Sequence, residues 1–237
     1  MARVTINVDL GELPGEDEEL YALAGVCNVA CGGHAGDEGS MRRAVGCVAR
    51  ARAALAAHPG YPDRARFGRA SVSMAPSALA ECVADQCGAI AWIARAAGIA
   101  VDAVKPHGAL YHDAARDPAI ARALIDGVTA ALGGGVRLVG PPRGALADEA
   151  RVRAIAYARE GFADRAYRAD GSLVPRGDPG ASIEEPDEAA TQALRLARSG
   201  AVETICVHGD GARAVAIARA VRTALATAAL LDAQVAP

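Results

Sequence analysis

Of the 25 basic side chains in this chain, only Lys105 is not an arginine. The sequence also lacks a CxxC pair, a Rossmann or P-loop glycine pattern, a net positive charge, and any apolar run near the roughly 18 residues of a membrane span. Each absence excludes a class. A formal charge of -3 leaves no basic footprint for nucleic acid, so no nucleic-acid partner is expected. No segment reads as a membrane span. The six cysteines, at 27, 31, 47, 82, 87 and 206, form no small-domain framework, so reduced thiols are expected. Met1-Ala2-Arg3 leads into Val-Thr-Ile-Asn-Val-Asp with no hydrophobic signal region, and a cytoplasmic enzyme is the expectation.

At 237 residues with 52% hydrophobic side chains, the expectation is a single domain spanning residues 1–237. Short β-like runs at 4–8, 26–30, 53–57, 101–105, 136–140, 155–158 and 203–207 alternate with helical stretches near 16–24, 39–52, 76–97, 117–131, 143–151, 186–199 and 211–228. This alternation predicts an α/β fold, a (β/α) barrel of about seven parallel strands, with an open doubly wound sheet as the alternative. An Asp170-Gly171 turn within 162–179 predicts a hairpin excursion beside the site. Trp92 is expected in the core, His112 in solvent, and Arg42 to Arg52 on a solvated helix face.

Candidate chemistry concentrates where strands end. Asp9, His34, His58, Lys105, His107, His208 and Asp210 all fall at or just past predicted strand ends, and in a parallel barrel these ends converge on one face. Lys105 is of particular interest, because lysine offers a compact charge suited to phosphate, oxyanion or proton-transfer work that a guanidinium does not replace. Asp9 and Glu12 leave the first strand together, as a general base or as metal ligands. Asn28 to Asp37 is a glycine-rich turn fit for close ligand approach, where Asp37 contacts ligand or caps the next helix. His58 and Asp63 bracket a proline-stiffened loop and are read as facing each other. Asp164-Arg165 offers a cation for a substrate carboxylate, held by its neighbouring acid, or else a structural bridge. His208-Gly209-Asp210 opens the last helix. Cys31 assisted by His34 is a weaker nucleophile candidate.

Taken in order, Asn-Val-Asp-Leu-Gly-Glu, Asn-Val-Ala-Cys-Gly-Gly-His-Ala-Gly-Asp, Ala-His-Pro-Gly-Tyr-Pro-Asp, Val-Lys-Pro-His-Gly-Ala-Leu-Tyr, Phe-Ala-Asp-Arg-Ala-Tyr, Asp-Gly-Ser-Leu-Val-Pro-Arg and Ile-Cys-Val-His-Gly-Asp resemble the successive motifs of the LamB/YcsF lactam-utilisation family, the A subunits of 5-oxoprolinase. The resemblance implies a distorted (β/α) barrel similar to that of deacetylases and some glycosidases. It implies a subunit of an ATP-dependent 5-oxoprolinase that opens 5-oxo-L-proline to L-glutamate, ATP going to ADP and phosphate, with partner subunits B and C. Carried onto this chain, it places catalysis at Asp9, Glu12, His34, His58, Lys105, His107 and His208, and substrate binding at Asn28, Asp37, Asp63, Asp164, Arg165 and Asp210. Its likeness to deacetylases also admits a divalent metal on Asp9, His34 and His58. The chain departs from the family at Gly33, where Phe is usual, at His112, where Asn is usual, and at Arg66-Phe67-Gly68-Arg69-Ala70. Alternatives from the residues alone are a stand-alone metal-dependent amide hydrolase or deacetylase, and a noncatalytic regulatory subunit that binds a small carboxylate. Self-association is compatible with all three.

Overall fold

The computed structural model describes residues 3–232. Seven parallel strands close into a barrel in chain order: β1 (Thr5–Leu10), β2 (Val26–Ala30), β3 (Ala54–His58), β4 (Val101–Val104), β5 (Arg137–Gly140), β6 (Tyr157–Phe162) and β7 (Thr204–His208), with β7 returning to β1. The helices are α1 (Glu19–Leu23), α2 (Glu38–Ala51), α3 (Pro76–Ala96), α4 (Gly108–Arg116), α5 (Pro118–Leu132), α6 (Ala145–Val152), α7 (Pro186–Ser199) and α8 (Ala214–Thr227). The barrel expectation is borne out, and the open-sheet alternative is not.

Helix boundaries follow local chemistry. Pro76, Pro118 and Pro186 each occupy a first helical turn, where the missing N–H costs nothing. Asp37 and Ser40 form a reciprocal capping box at the start of α2. The nine-residue α4, which only Asp117 separates from α5, was not anticipated from the sequence pattern. Strand β6 runs four residues further than expected, to Phe162, because Arg159 and Glu160 point to opposite faces of the barrel wall: Arg159 pairs with Glu203, whereas Glu160 reaches Lys105.

Strand alternation sorts the side chains. Ile6, Val8, Leu10, Val29, Leu55, Val104, Leu138, Ile205 and Val207 belong to the large apolar core shared with the helices. Ala56, Ala103, Val139 and Ala158 form a separate small cluster inside the barrel. Above it lie the polar inward residues. A register shift between Leu55 and Ala56 accommodates Asp102, whose carboxylate accepts the Leu55 N–H at 3.2 Å. After the shift Ala103 pairs with Ala56 and Val104 with Ala57, which brings Lys105 alongside His58.

Two expectations are overturned. Trp92 is 57% exposed, with the Arg42 guanidinium 4.8 Å from its ring centre, because apolar spacing on α3 supplied more hydrophobic residues than its buried face uses. His112 is partly buried rather than solvated, since α4 turns it over the barrel mouth. The Arg42 to Arg52 arginines are exposed as expected. The Asp170-Gly171 turn is present, with Gly171 at φ 83°, Arg168 N–H donating to Ser172 O at 2.7 Å, and antiparallel pairing of Tyr167 with Leu173. No helix among the described residues is long and apolar enough to cross a membrane.

Candidate active site

A cavity of about 760 Å3 opens at the amino-terminal end of the barrel, with Ala54, Ala103 and Ala158 in its lining. The histidines and carboxylates lie at the other end. There a crevice of about 40 Å3 is bounded by Asp9, His58, Lys105, His107, Phe162 and His208. It shares Arg69, Tyr111, His112, Arg165 and Arg176 with an adjoining cavity of about 500 Å3.

Lys105 sits at the centre, 2% exposed. Its ammonium donates to Asp9 Oδ1 at 2.8 Å and Asn7 Oδ1 at 3.2 Å, and lies 2.9 Å from Glu160 Oε1 and 3.0 Å from Cys206 Sγ. Burial works against this charge, but Asp9, Cys206 and Glu160 outweigh it and hold the lysine well above its ordinary pKa. It is an ammonium at neutral pH, which excludes the neutral-lysine base among the roles open to it. Asn28 donates to Asp9 Oδ1 at 2.8 Å and to Asn7 Oδ1 at 2.7 Å, so it positions the acid from inside the barrel. Burial would raise the Asp9 carboxyl; Lys105, His58 and His208 pull it well below the usual range.

A second group gathers on Glu12. Its Oε1 is 3.0 Å from His34 Nε2, 3.2 Å from His107 Nδ1 and 3.7 Å from His58 Nε2. The Lys105 carbonyl, 2.7 Å from His58 Nδ1, only accepts, so that nitrogen carries hydrogen; the Phe67 carbonyl does the same for His107 Nε2 at 3.0 Å. In neutral rings, lone pairs on His58 Nε2 and His107 Nδ1 would face each other across 3.1 Å beside a carboxylate. Three acceptors turned on one point require a proton or a cation between them. Burial holds His34 down to about 3 and also lowers His107. Burial alone would lower His58 as well, but Asp9 outweighs it and raises that ring.

These donors fit a divalent metal. Three imidazole nitrogens and one carboxylate oxygen match a zinc-type set, and the carbonyls behind His58 and His107 are the outer-shell partners that metal-ligating histidines use. The expected trio divides, however. His34 and His58 fall in this cluster with Glu12 and His107, whereas Asp9 groups with Cys206 and His208.

His208 is oriented by Asp164. The Asp164 carboxylate accepts from His208 Nδ1 at 3.0 Å and from the His208 backbone N–H at 2.8 Å, leaving Nε2 facing Asp9 Oδ2 at 3.8 Å. Burial opposes ionisation of Asp164, but His208 holds it below the ordinary carboxylate range.

Several expectations need correction. Asp164 serves His208, not Arg165. Arg165 is 4% exposed, and donates from Nε to Ala181 O at 3.2 Å and from Nη2 to Val174 O at 2.6 Å, which ties down the hairpin while it lines the cavity. Asp63 turns to Arg66 Nε at 2.8 Å rather than to His58. Asp37 is an exposed helix cap, outside the cluster. Asp210 pairs with Arg69 Nη2 at 2.5 Å near the mouth. Cys31 is buried, which pushes its thiol well up, and His34 is committed to Glu12, so the pair does not make a nucleophile.

The sequence reading overlooked Glu160, Asn7, Tyr111 and Gln86. Parity with Phe162 on β6 was the available signal for Glu160. Gln86, buried on α3, donates to Gly60 O at 2.9 Å and accepts from Gly60 N–H at 3.0 Å, which fixes the loop that carries His58.

His112 gives a stability prediction. Burial first, then Arg116 and Arg165, lowers it to about 4, with Asp113 opposing and Arg176 reinforcing. A histidine held below its unfolded pKa keeps its full contribution above about 6.5 and loses it as pH falls toward the folded value. The stability of the wild type, read from denaturant melts, is expected to fall between pH 6.5 and 4, by at most about 3 kcal/mol from this ring. His112→Asn should flatten that portion of the profile; an unchanged profile would contradict the assignment.

The model of the LamB/YcsF family matches residues 4–236. This chain belongs to that family. The A subunit of 5-oxoprolinase from Methylococcus capsulatus is 45% identical, over 95% of this chain and 94% of that one. The crystal structure of a lactam utilization protein from Thermus thermophilus superposes with a TM-score of 0.88 at 37% identity, covering 96% of this chain and 97% of the other. A family 4 carbohydrate esterase from Streptomyces lividans shares the fold at 13% identity and a TM-score of 0.53, covering 99% and 93%. The LamB/YcsF motif resemblance is therefore borne out, together with its deacetylase-like barrel.

Proposed function

We propose that this LamB/YcsF chain is the A subunit of an ATP-dependent 5-oxoprolinase that opens 5-oxo-L-proline to L-glutamate with partner subunits B and C. The reading is supported chiefly by the packing of Lys105, Asp9, His58, His107 and His208 around one small crevice at the barrel mouth, with Glu160 against Lys105. Such a density of buried charge is costly to fold and suits reaction chemistry.

A five-membered lactam is an unactivated amide, and transfer of the ATP γ-phosphoryl group to its oxygen makes the ring carbon electrophilic. No glycine-rich phosphate loop is present in this sequence, so the partners are assigned that transfer. This chain is assigned the steps with water: one water opens the ring and a second releases phosphate, giving glutamate and inorganic phosphate. His208, oriented by Asp164, takes the proton from the attacking water. Lys105 steadies the developing oxygen charge, a contribution of about 3 kcal/mol if it equals one oxyanion-hole donor. Asp9 keeps Lys105 in place. When bound, a divalent cation would polarise the carbonyl and acidify water, and Glu12, His34, His58 and His107 would hold it.

The test is glutamate release from 5-oxoproline and ATP. This chain alone is expected to be inactive and the three-subunit mixture active; a competent B and C pair whose rate this chain leaves unchanged would overturn the assignment. The donor cluster also favours a second reading, a metal-dependent amide hydrolase. Titration with cobalt is expected to give visible absorption of a four-coordinate ion, lost in His34→Ala and His107→Ala. Absorption that survives both changes would place the metal elsewhere.

A further inference from the structure

The cavity of about 500 Å3 beside the crevice has a charge opposite to that of the chain as a whole. The chain carries -3, yet Arg69, Arg116, Arg165, Arg168 and Arg176 all line this one cavity, joined by His112. Arg69 is engaged by Asp210 at 2.5 Å, and Arg168 is 3.5 Å from Asp178. Arg165 spends two donors on backbone carbonyls, which fixes its guanidinium without cancelling its charge. Among the described residues, no carboxylate lies within ion-pair distance of Arg116 or Arg176. Two acids share the wall, Asp113, which accepts the Tyr61 hydroxyl at 3.1 Å, and Glu160, which lies 2.9 Å from the Lys105 ammonium, and the five guanidiniums outnumber them.

Three uncancelled guanidiniums exceed what one substrate carboxylate needs. A phosphoryl group, with nearly two negative charges and three acceptor oxygens, matches them, because guanidinium forks bind such oxygens in pairs. The position is also appropriate, since this cavity and the crevice over Lys105 share Tyr111, Phe162, Arg165 and Arg176. The volume exceeds what a single lactam ring occupies and is within the range of ordinary ligand pockets.

We propose that this arginine-lined cavity is the subsite that receives the phosphoryl group of a phosphorylated substrate, gripped by Arg116, Arg165 and Arg176 with His112 as a further hydrogen-bonding partner. The proposal rests on the reading that the substrate reaches this chain already phosphorylated. It makes this chain selective for the activated lactam over the free one, since only the former engages all three arginines.

The test is calorimetric titration of the whole chain with inorganic phosphate, and separately with ATP and with adenosine. Wild type is expected to bind phosphate, and Arg116→Gln/Arg176→Gln to bind it at least tenfold more weakly. Both arginines are exposed, so the double variant should keep the wild-type melting profile, and Arg42→Gln, on the far helix face, should bind normally. No phosphate binding by wild type, or equal binding by the double variant, would overturn the proposal. Adenosine binding in the cavity, with ATP much tighter than phosphate, would assign it to a nucleotide and also overturn it. If phosphate binding follows the arginines but the reconstituted mixture releases no glutamate, the lactam reading fails and the phosphoryl subsite stands.

Discussion

Replacing Lys105 with alanine is expected to lower glutamate release by at least about a hundredfold, the loss of one oxyanion-hole-type donor, and to lower the unfolding midpoint as well. The second effect follows from the burial. The ammonium is 2.8 Å from Asp9 and 2.9 Å from Glu160, and all three side chains are nearly inaccessible. Removing it leaves the buried Glu160 carboxylate without its counter-charge and Asp9 with only His58 and His208 beside it, a change that costs about 3–5 kcal/mol when a buried pair is broken. For a chain of this length that corresponds to roughly 10 °C. The roles in stability and catalysis separate in Lys105→Met/Glu160→Gln, which removes charge from both sides. Its melting temperature is expected to recover toward wild type while its turnover stays low. Near-normal turnover in Lys105→Ala would refute the catalytic role.

His208→Ala is expected to reduce kcat by about a hundred- to ten-thousandfold, the usual range for a positioned acid–base group. Asp164→Asn should lower kcat as well, because an amide at the 3.0 Å contact can present its NH2 group to Nδ1 and favour the wrong tautomer. In both variants KM should stay within about threefold, since neither side chain is assigned to hold the ground-state substrate. Steady-state kinetics of the reconstituted complex check this. A rise in KM with kcat preserved would make the pair a binding element instead, and a kcat within about threefold of wild type in His208→Ala would remove it from the mechanism.

The legible parts of this protein were those written in local patterns. Alternating apolar strands and capped helices gave the closed barrel, and polar residues at strand ends gave the face that gathers the candidate site, because parallel strands leave all their carboxyl ends together. Partnerships across the barrel were harder to read. Asp164 and Arg165 are adjacent in sequence but point to His208 and to the hairpin carbonyls respectively, a choice set by neighbouring strands. Glu160 lay in a polar stretch that resembled a strand end, and only the inward parity of β6 exposes it as the second counter-charge of Lys105. Glu12 was visible as an acid near Asp9, but its contact with three histidines from separate loops depends on barrel closure. His112 was misplaced because α4 was not recognised. Trp92 was misplaced because helical spacing does not tell a buried stripe from an exposed flank.

In the proposed mechanism the partners activate the lactam and this chain carries out its hydrolysis. The most direct measurement follows ADP and glutamate together in a mixture of B and C subunits with 5-oxoproline and ATP, before and after this chain is added. ADP formation without glutamate is expected at first, then glutamate release on addition of wild-type chain but not of the Lys105→Ala or His208→Ala variant. Glutamate appearing at the full rate before the addition, or restored equally by the variants, would contradict this mechanism.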